Sequence, residues 1–165
     1  RYLLGQFKGK YALTELEFLI CAVLHDVYED VDMKTFDIEA CCKYINCEKK
    51  QTIEEVVVAL FGESVHRTLL ELTNDKVKIG EIGKTEYLKR KLASMSTEAY
   101  IIKSVDRLDN ILDSRHMEDE ARKALINNTR EIWSFDSSKR KKKTEIEDFI
   151  QTDVLQMCME LSWGF

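Results

Sequence analysis

No proline occurs anywhere in the 165 residues, and glycine occurs only six times. These two residues supply most of the fixed and left-handed backbone angles that tight turns require. A chain so poor in both is ill suited to many short strands joined by hairpins, so a sandwich or barrel is disfavoured and helices are favoured. Charged residues make up 33% of the chain, above the roughly 25% of average soluble proteins. The length suits one compact domain with a sizeable core and is too short for two ordinary ones. The expectation is a single all-α domain over residues 1–165.

Charge and cysteine usage exclude several classes. With 25 basic and 30 acidic residues the formal net charge is −5, which argues against bulk electrostatic binding of nucleic acid. The longest strictly apolar run, Phe18 to Leu24, is seven residues, far below the roughly 20 that span a bilayer. No membrane partner is expected. The five cysteines (Cys21, Cys41, Cys42, Cys47, Cys158) are odd in number and contain no Cys-x-x-Cys pair. Adjacent Cys41 and Cys42 suit neither a disulfide framework nor a zinc knuckle, so reduced thiols and a cytoplasmic location are expected. No signal-peptide pattern is visible, and a chain that opens on Arg1 in place of Met is expected to continue upstream.

Helical punctuation recurs along the chain. Thr14-Glu15-Leu16-Glu17 spells a capping box, in which the threonine oxygen and the glutamate carboxylate satisfy orphan amides. It opens the apolar run at Phe18, predicting a helix from there to about residue 30, buried over most of its circumference. Thr52-Ile53-Glu54-Glu55 spells a second box before Val56-Val57-Val58-Ala59-Leu60-Phe61, and Gly62 at the C′ position favours a short helix over a strand there. Leu69, Leu70 and Leu72 fall in another short helical segment, and residues 73–84 read as a loop. Helices are predicted at Thr85–Met95, from Thr97 to about Asp113, at 118–135 and at 144–161. The basic run ending at Lys143 lies between the last two and reads as a solvated turn.

His25-Asp26-Val27-Tyr28-Glu29-Asp30 carries most of the chemical information. On an unbroken helix His25 stacks on Glu29 and Asp26 on Asp30, two i, i+4 pairs about 100° apart on one sector. Three crowded carboxylates repel unless a cation or proton neutralises them. A divalent ion is a natural resident, and imidazole with carboxylate suits manganese, iron or zinc better than calcium. The competing reading is an ordinary helix end with solvated acids. A second segment, Ile101 to Asn110, places Asp106 and Asn110 at i, i+4 on another apolar helix. An aspartate after Ile101-Ile102 and Val105 needs a partner. A metal shared with His25 and Asp26 is one; a salt bridge to Arg107 or Arg90 is the other.

These segments resemble the HD-domain alarmone hydrolases, the RelA/SpoT type and their small single-domain relatives. His25-Asp26 with Glu29-Asp30 resembles the family's HD-x-x-ED signature. Thr52–Gly62 resembles its Thr-Leu-x-Glu-x-x-x-x-Phe-Gly helix, and Glu71-Leu72-Thr73-Asn74-Asp75 its Val-Thr-Asp/Lys loop. Ile102–Asn110 is similar to Ile-Lys-Leu-Ala-Asp-Arg-Leu-His-Asn, and Thr129–Trp133 to Thr-Leu-Glu-Ile-Tyr. The likeness spans residues 15–135, interrupted by an apparent insertion near 33–51 in which Thr35, Asp37-Ile38, Cys41-Cys42 and Ile45 suggest a short helix.

The resemblance implies an HD-domain helical bundle that binds a divalent metal, most often Mn2+, and hydrolyses the 3′-pyrophosphate of guanosine tetra- or pentaphosphate, a small-molecule nucleotide substrate. It implies His25, Asp26 and Asp106 as metal ligands, and Glu29, with Asp30 behind it, as the group that orients and deprotonates water. Asn110 matches the asparagine that contacts the sugar region, and Lys84 stands in the loop where relatives place a phosphate-binding base. Trp133 reads as core. His66 reads as a packing or surface residue and His116 as solvated. The family's first histidine ligand has no counterpart before His25 and is expected upstream of Arg1. Asp109 stands where relatives have histidine. Two other readings remain open: hydrolysis of another nucleotide, such as a nicotinamide dinucleotide phosphate or a deoxynucleotide, and an inactive HD module that binds a nucleotide or protein partner.

Overall fold

A computed structural model describes residues 12–32, 34–44, 46, 52–134 and 144–162. The protein is all-α: among the described residues there is no strand. No described helix is long and apolar enough to cross a membrane. Ile45, Cys47 and the Lys139–Lys143 run lie outside the described residues. Contacts gather into two compact units, Arg1–Asn74 and Asp75–Phe165.

The first unit holds α1 (Glu15–Val23), α2 (Val27–Asp30), α3 (Ile38–Tyr44) and α4 (Ile53–Leu72). The two predicted capping boxes form, at Thr14–Glu17 before α1 and Thr52–Glu55 before α4. Helix α4 is the hub against which α1, α2 and α3 each pack. Its Val65, Leu69 and Leu72 are fully buried, each contributing about 1.5–3 kcal/mol relative to exposure. The short α3 falls within the apparent insertion, where a short helix is expected, and buries Cys42.

Gly62 divides α4. Its backbone at φ 84°, ψ 170° lies in a region essentially closed to residues with a Cβ, so helical hydrogen bonding is carried past it across a kink. The expected stop at Gly62 and resumption afterwards are both present.

The predicted helix running to about residue 30 does not form as one piece. α1 ends at Val23 and α2 begins at Val27, with Leu24 (φ −97°, ψ 11°) and Asp26 (φ −104°, ψ 7°) outside helical geometry. The His25 ring bonds the Ala22 carbonyl at 2.9 Å, a local side-chain contact that competes with the helix ladder.

The second unit holds α5 (Lys76–Ile82), α6 (Lys84–Ser94), α7 (Thr97–Asp113), a 3₁₀ turn (Ser114–His116), α8 (Asp119–Trp133) and α9 (Glu145–Ser162). α9 packs along both α7 and α8, and α6 along α8. Ile111, Ile126 and Cys158 form a buried cluster, with Met157 and Leu161 against it. Trp133 is core, as expected. It is 1% exposed, and its indole Nε1 donates to Ser104 Oγ at 3.1 Å.

The segment read as a loop at 73–84 contains α5. Asp75 caps it, Oδ1 accepting the N–H groups of Val77 and Lys78, both at 3.1 Å. The Lys78 backbone N–H, and then its ammonium, hold the Asp75 carboxyl below its ordinary value. The cap's stabilisation is therefore present above the unfolded-state pKa and lost as pH falls through the folded one.

Gly62 and Gly80 make opposite predictions for one substitution. A methyl group added at either position meets no neighbouring atom within 4 Å, so sterics are silent and backbone conformation decides. Gly62→Ala is expected to destabilise by about 1–3 kcal/mol. Gly80→Ala, inside α5, is expected to stabilise by about 0.5–1 kcal/mol. Urea unfolding midpoints check both, and a neutral Gly62→Ala contradicts the backbone argument.

Candidate functional site

His25 and Asp26 occupy the turn between α1 and α2. A carbonyl only accepts, so the 2.9 Å contact from His25 Nδ1 to Ala22 O places the proton on Nδ1. The other ring nitrogen, Nε2, lies 3.0 Å from Asp26 Oδ2. At that separation the two atoms share either a second ring proton or an external cation. A histidine whose far nitrogen is tied to a backbone carbonyl is the usual arrangement of a metal-ligating imidazole. Asp26 is the N-cap of α2, yet its side chain makes no capping bond. Its backbone carbonyl accepts from Glu29 and Asp30, both at 2.9 Å, while its carboxylate faces the imidazole. The pair fits an ion that takes mixed nitrogen and oxygen ligands.

The break between α1 and α2 removes the unbroken helix on which His25–Glu29 and Asp26–Asp30 were expected to stack. Glu29 is directed to Asn74 instead: Oε1 accepts the Asn74 backbone N–H at 2.8 Å and Oε2 its side-chain amide at 3.3 Å. Asp30 is exposed.

Tyr28, between the two pairs, meets His66 of α4 through its hydroxyl, 2.8 Å from Nδ1. Burial, then the charges of Glu54 and Cys21, push the Tyr28 phenol up to about 12. The phenol thus stays protonated while it shares a hydrogen bond with His66 Nδ1. The structure makes His66 a half-buried packing partner. It also lines an open cleft of about 320 Å³ along α4 with Glu54, Glu55, Val58, Ala59 and Glu63.

In the second unit, Asp106 and Asn110 form the expected i, i+4 pair on α7. Asn110 Nδ2 donates to the Asp106 carbonyl at 2.9 Å and to its Oδ1 at 3.0 Å. Lys103 Nζ lies 3.7 Å from Asp106 Oδ2, in the place that the alternative reading, a salt bridge, gave to Arg107 or Arg90. Arg90 is bound to Glu86 at 2.6 Å, and Arg107 lies over the Trp133 ring, 5.5 Å from its centre. Burial lowers the Arg107 guanidinium from its usual value. Lys84 is exposed at the first position of α6, and Asp109 and His116 are also exposed.

Among the described residues, neither unit gathers three or more His, Cys, Asp or Glu side chains as metal ligands would be gathered. The sequence reading missed Asn74 as a partner of the acidic pair. Its only signal was a place in the Thr73-Asn74-Asp75 turn. No family model, curated protein or solved structure matches this chain.

The described cysteines Cys21, Cys41, Cys42 and Cys158 are all free thiols. Burial, and then the charge of Glu17, push Cys21 up to about 11, and burial also raises Cys158. At pH 8 both remain thiols, the unreactive form. Iodoacetamide is expected to label Cys41 at least about tenfold faster than either, read by peptide mass spectrometry of the native protein. The raised Cys21 value also means that the folded state holds its proton longer. Its contribution to stability is therefore lost as pH rises from about 9 towards 11.

Proposed function

We propose that this chain is an HD-type, metal-dependent phosphohydrolase that removes the 3′-pyrophosphate of guanosine tetra- or pentaphosphate. The observation that carries the reading is the His25–Asp26 pair, with Nδ1 tied to Ala22 O and Nε2 facing the carboxylate at 3.0 Å. It supports the metal-ligand role that the HD-x-x-ED resemblance gives these residues. In this reading His25 and Asp26 hold a divalent ion, with Mn2+ the first choice, and the resemblance gives Asp106 the same ligand role. Bound, that ion supplies Lewis-acid charge for the phosphate oxygen.

The remaining steps belong to the chain. The acidic pair Glu29 and Asp30 orients the attacking water and takes its proton, while Asn110 and Lys84 meet the sugar and phosphate of the nucleotide. Pyrophosphate and GDP or GTP are released. The free thiols fit a reducing cytoplasmic setting, and a net charge of −5 fits a small-molecule substrate better than nucleic acid.

With Mn2+ added, guanosine tetraphosphate is expected to be hydrolysed faster than a nicotinamide dinucleotide phosphate or a deoxynucleoside triphosphate, measured by product chromatography. Asp106→Ala is expected to remove Mn2+ binding, measured calorimetrically, together with turnover. Glu29→Ala is expected to keep Mn2+ while turnover falls about a hundredfold or more. Normal turnover in Glu29→Ala would remove Glu29 from the mechanism.

A further inference from the structure

Between Lys103 and Asn110, helix α7 carries a run of polar side chains whose donors are unevenly satisfied. Ser104 Oγ accepts the Trp133 indole N–H at 3.1 Å. Asn110 Nδ2 donates to Asp106 Oδ1 at 3.0 Å. Lys103 and Arg107 differ. The Lys103 side chain is 9% exposed, and its Nζ lies 3.7 Å from Asp106 Oδ2, beyond hydrogen-bond reach. No described residue accepts a hydrogen bond from that ammonium. Asp106 answers its charge and leaves its three hydrogens unspent.

Arg107 stands at i+4 from Lys103, on the same face of α7. Its guanidinium rests over the Trp133 ring and makes no hydrogen bond or ion pair with a described residue. Its Nε is buried without a hydrogen-bond partner. Two cations thus share this face with the Asp106 carboxylate, whose charge also reaches Arg107 through space. Asp109, the next acid along α7, lies at least about 120° round the helix from either cation. A positive charge is left over here, in a chain whose net charge is −5. Water can meet the unspent donors but not that charge. Half-enclosed like charges call for a counter-ion.

We infer that this face of α7 is an oxyanion site, in which Lys103 Nζ donates to a phosphoryl group and Arg107 supplies the second positive charge. A phosphoryl group matches better than a carboxylate, because its terminal oxygens can take all three hydrogens of the ammonium. Asp106 remains the neighbouring carboxylate, and its repulsion limits how tightly the anion is held. The site lies wholly within the second unit and stands without the phosphohydrolase reading.

The test uses the full chain in metal-free buffer at constant ionic strength, with inorganic phosphate as the probe. Affinity is read by calorimetry, and the urea unfolding midpoint with and without phosphate. The unaltered chain is expected to bind phosphate and to unfold at a higher midpoint in its presence. Lys103→Met keeps an unbranched apolar stem. It is expected to weaken binding about tenfold or more and to lose the phosphate-dependent rise. Lys103→Arg is expected to keep most of the affinity. Asp106→Asn removes the repelling charge and is expected to tighten phosphate about threefold or more.

Equal binding by the unaltered chain and Lys103→Met overturns the proposal, as does an unaltered chain that binds no phosphate. If Lys103→Met does not fold, Asp106→Asn decides, and an affinity no tighter than that of the unaltered chain overturns the site. Guanosine tetraphosphate separates the two sources of the group. Its Lys103-dependent displacement of phosphate assigns the site to a nucleotide's phosphoryl group, and phosphate binding indifferent to it assigns the site to the free ion. No turnover is read, so the outcome is independent of the proposed activity.

Discussion

The contact from the His25 ring to the Ala22 carbonyl organises the first unit's chemistry. In an unbroken helix that carbonyl would accept the backbone N–H four residues on, at Asp26. The imidazole occupies it instead, α1 stops at Val23, and the chain restarts at Asp26. Three consequences share this origin. The ring's tautomer is set, so Nε2 faces the Asp26 carboxylate. The Asp26 carbonyl opens α2, while its carboxylate, turned to the imidazole, makes none of the capping bonds it would ordinarily make. The four residues of α2 are then fixed apart from α1, Tyr28 by His66 and Glu29 by Asn74.

What was legible in the sequence was local. The boxes Thr14–Glu17 and Thr52–Glu55 are spelled by residues three apart and form as spelled. A third, Thr144–Glu147, follows the same pattern, with Thr144 N–H donating to Glu147 at 2.9 Å and Glu147 N–H to Thr144 at 3.3 Å. Helix α7 runs Thr97–Asp113, where its periodicity put it. The break at Leu24–Asp26 was not legible. The apolar run reaches Leu24, Val27 follows after only His25 and Asp26, and neither glycine nor proline marks the break. A ring-to-carbonyl bond is a choice between two local partners that hydrophobic pattern does not record. α5 was hidden for another reason. Its seven residues, with Val77, Ile79 and Ile82 as apolar positions and Gly80 inside, are too few to show a period, and only the Asp75 cap announces it.

Of the candidate site, residue types were legible and partners were not. That Asp106 needs a companion followed from its apolar neighbours. That Lys103 is that companion depends on how deeply α7 is buried. Lys103 is 7% exposed, and an ammonium so enclosed requires a counter-charge within reach, which an i, i+3 aspartate supplies. Glu29 and Asn74 are 45 residues apart, and their pairing is tertiary information that no spacing rule contains.

The Asp106–Asn110 pair constrains what each can offer a ligand. Asn110's near end faces a carbonyl and a carboxylate oxygen, both acceptors, so that end must be the amide NH₂. Both its hydrogens are then spent on Asp106, and the group Asn110 has left to present is its Oδ1 acceptor. A nucleotide hydroxyl meeting Asn110 would therefore donate to it, whereas a phosphate oxygen would find no donor there. Asp106, a carboxylate with about four acceptor sites, uses one oxygen on Asn110 and turns the other to Lys103.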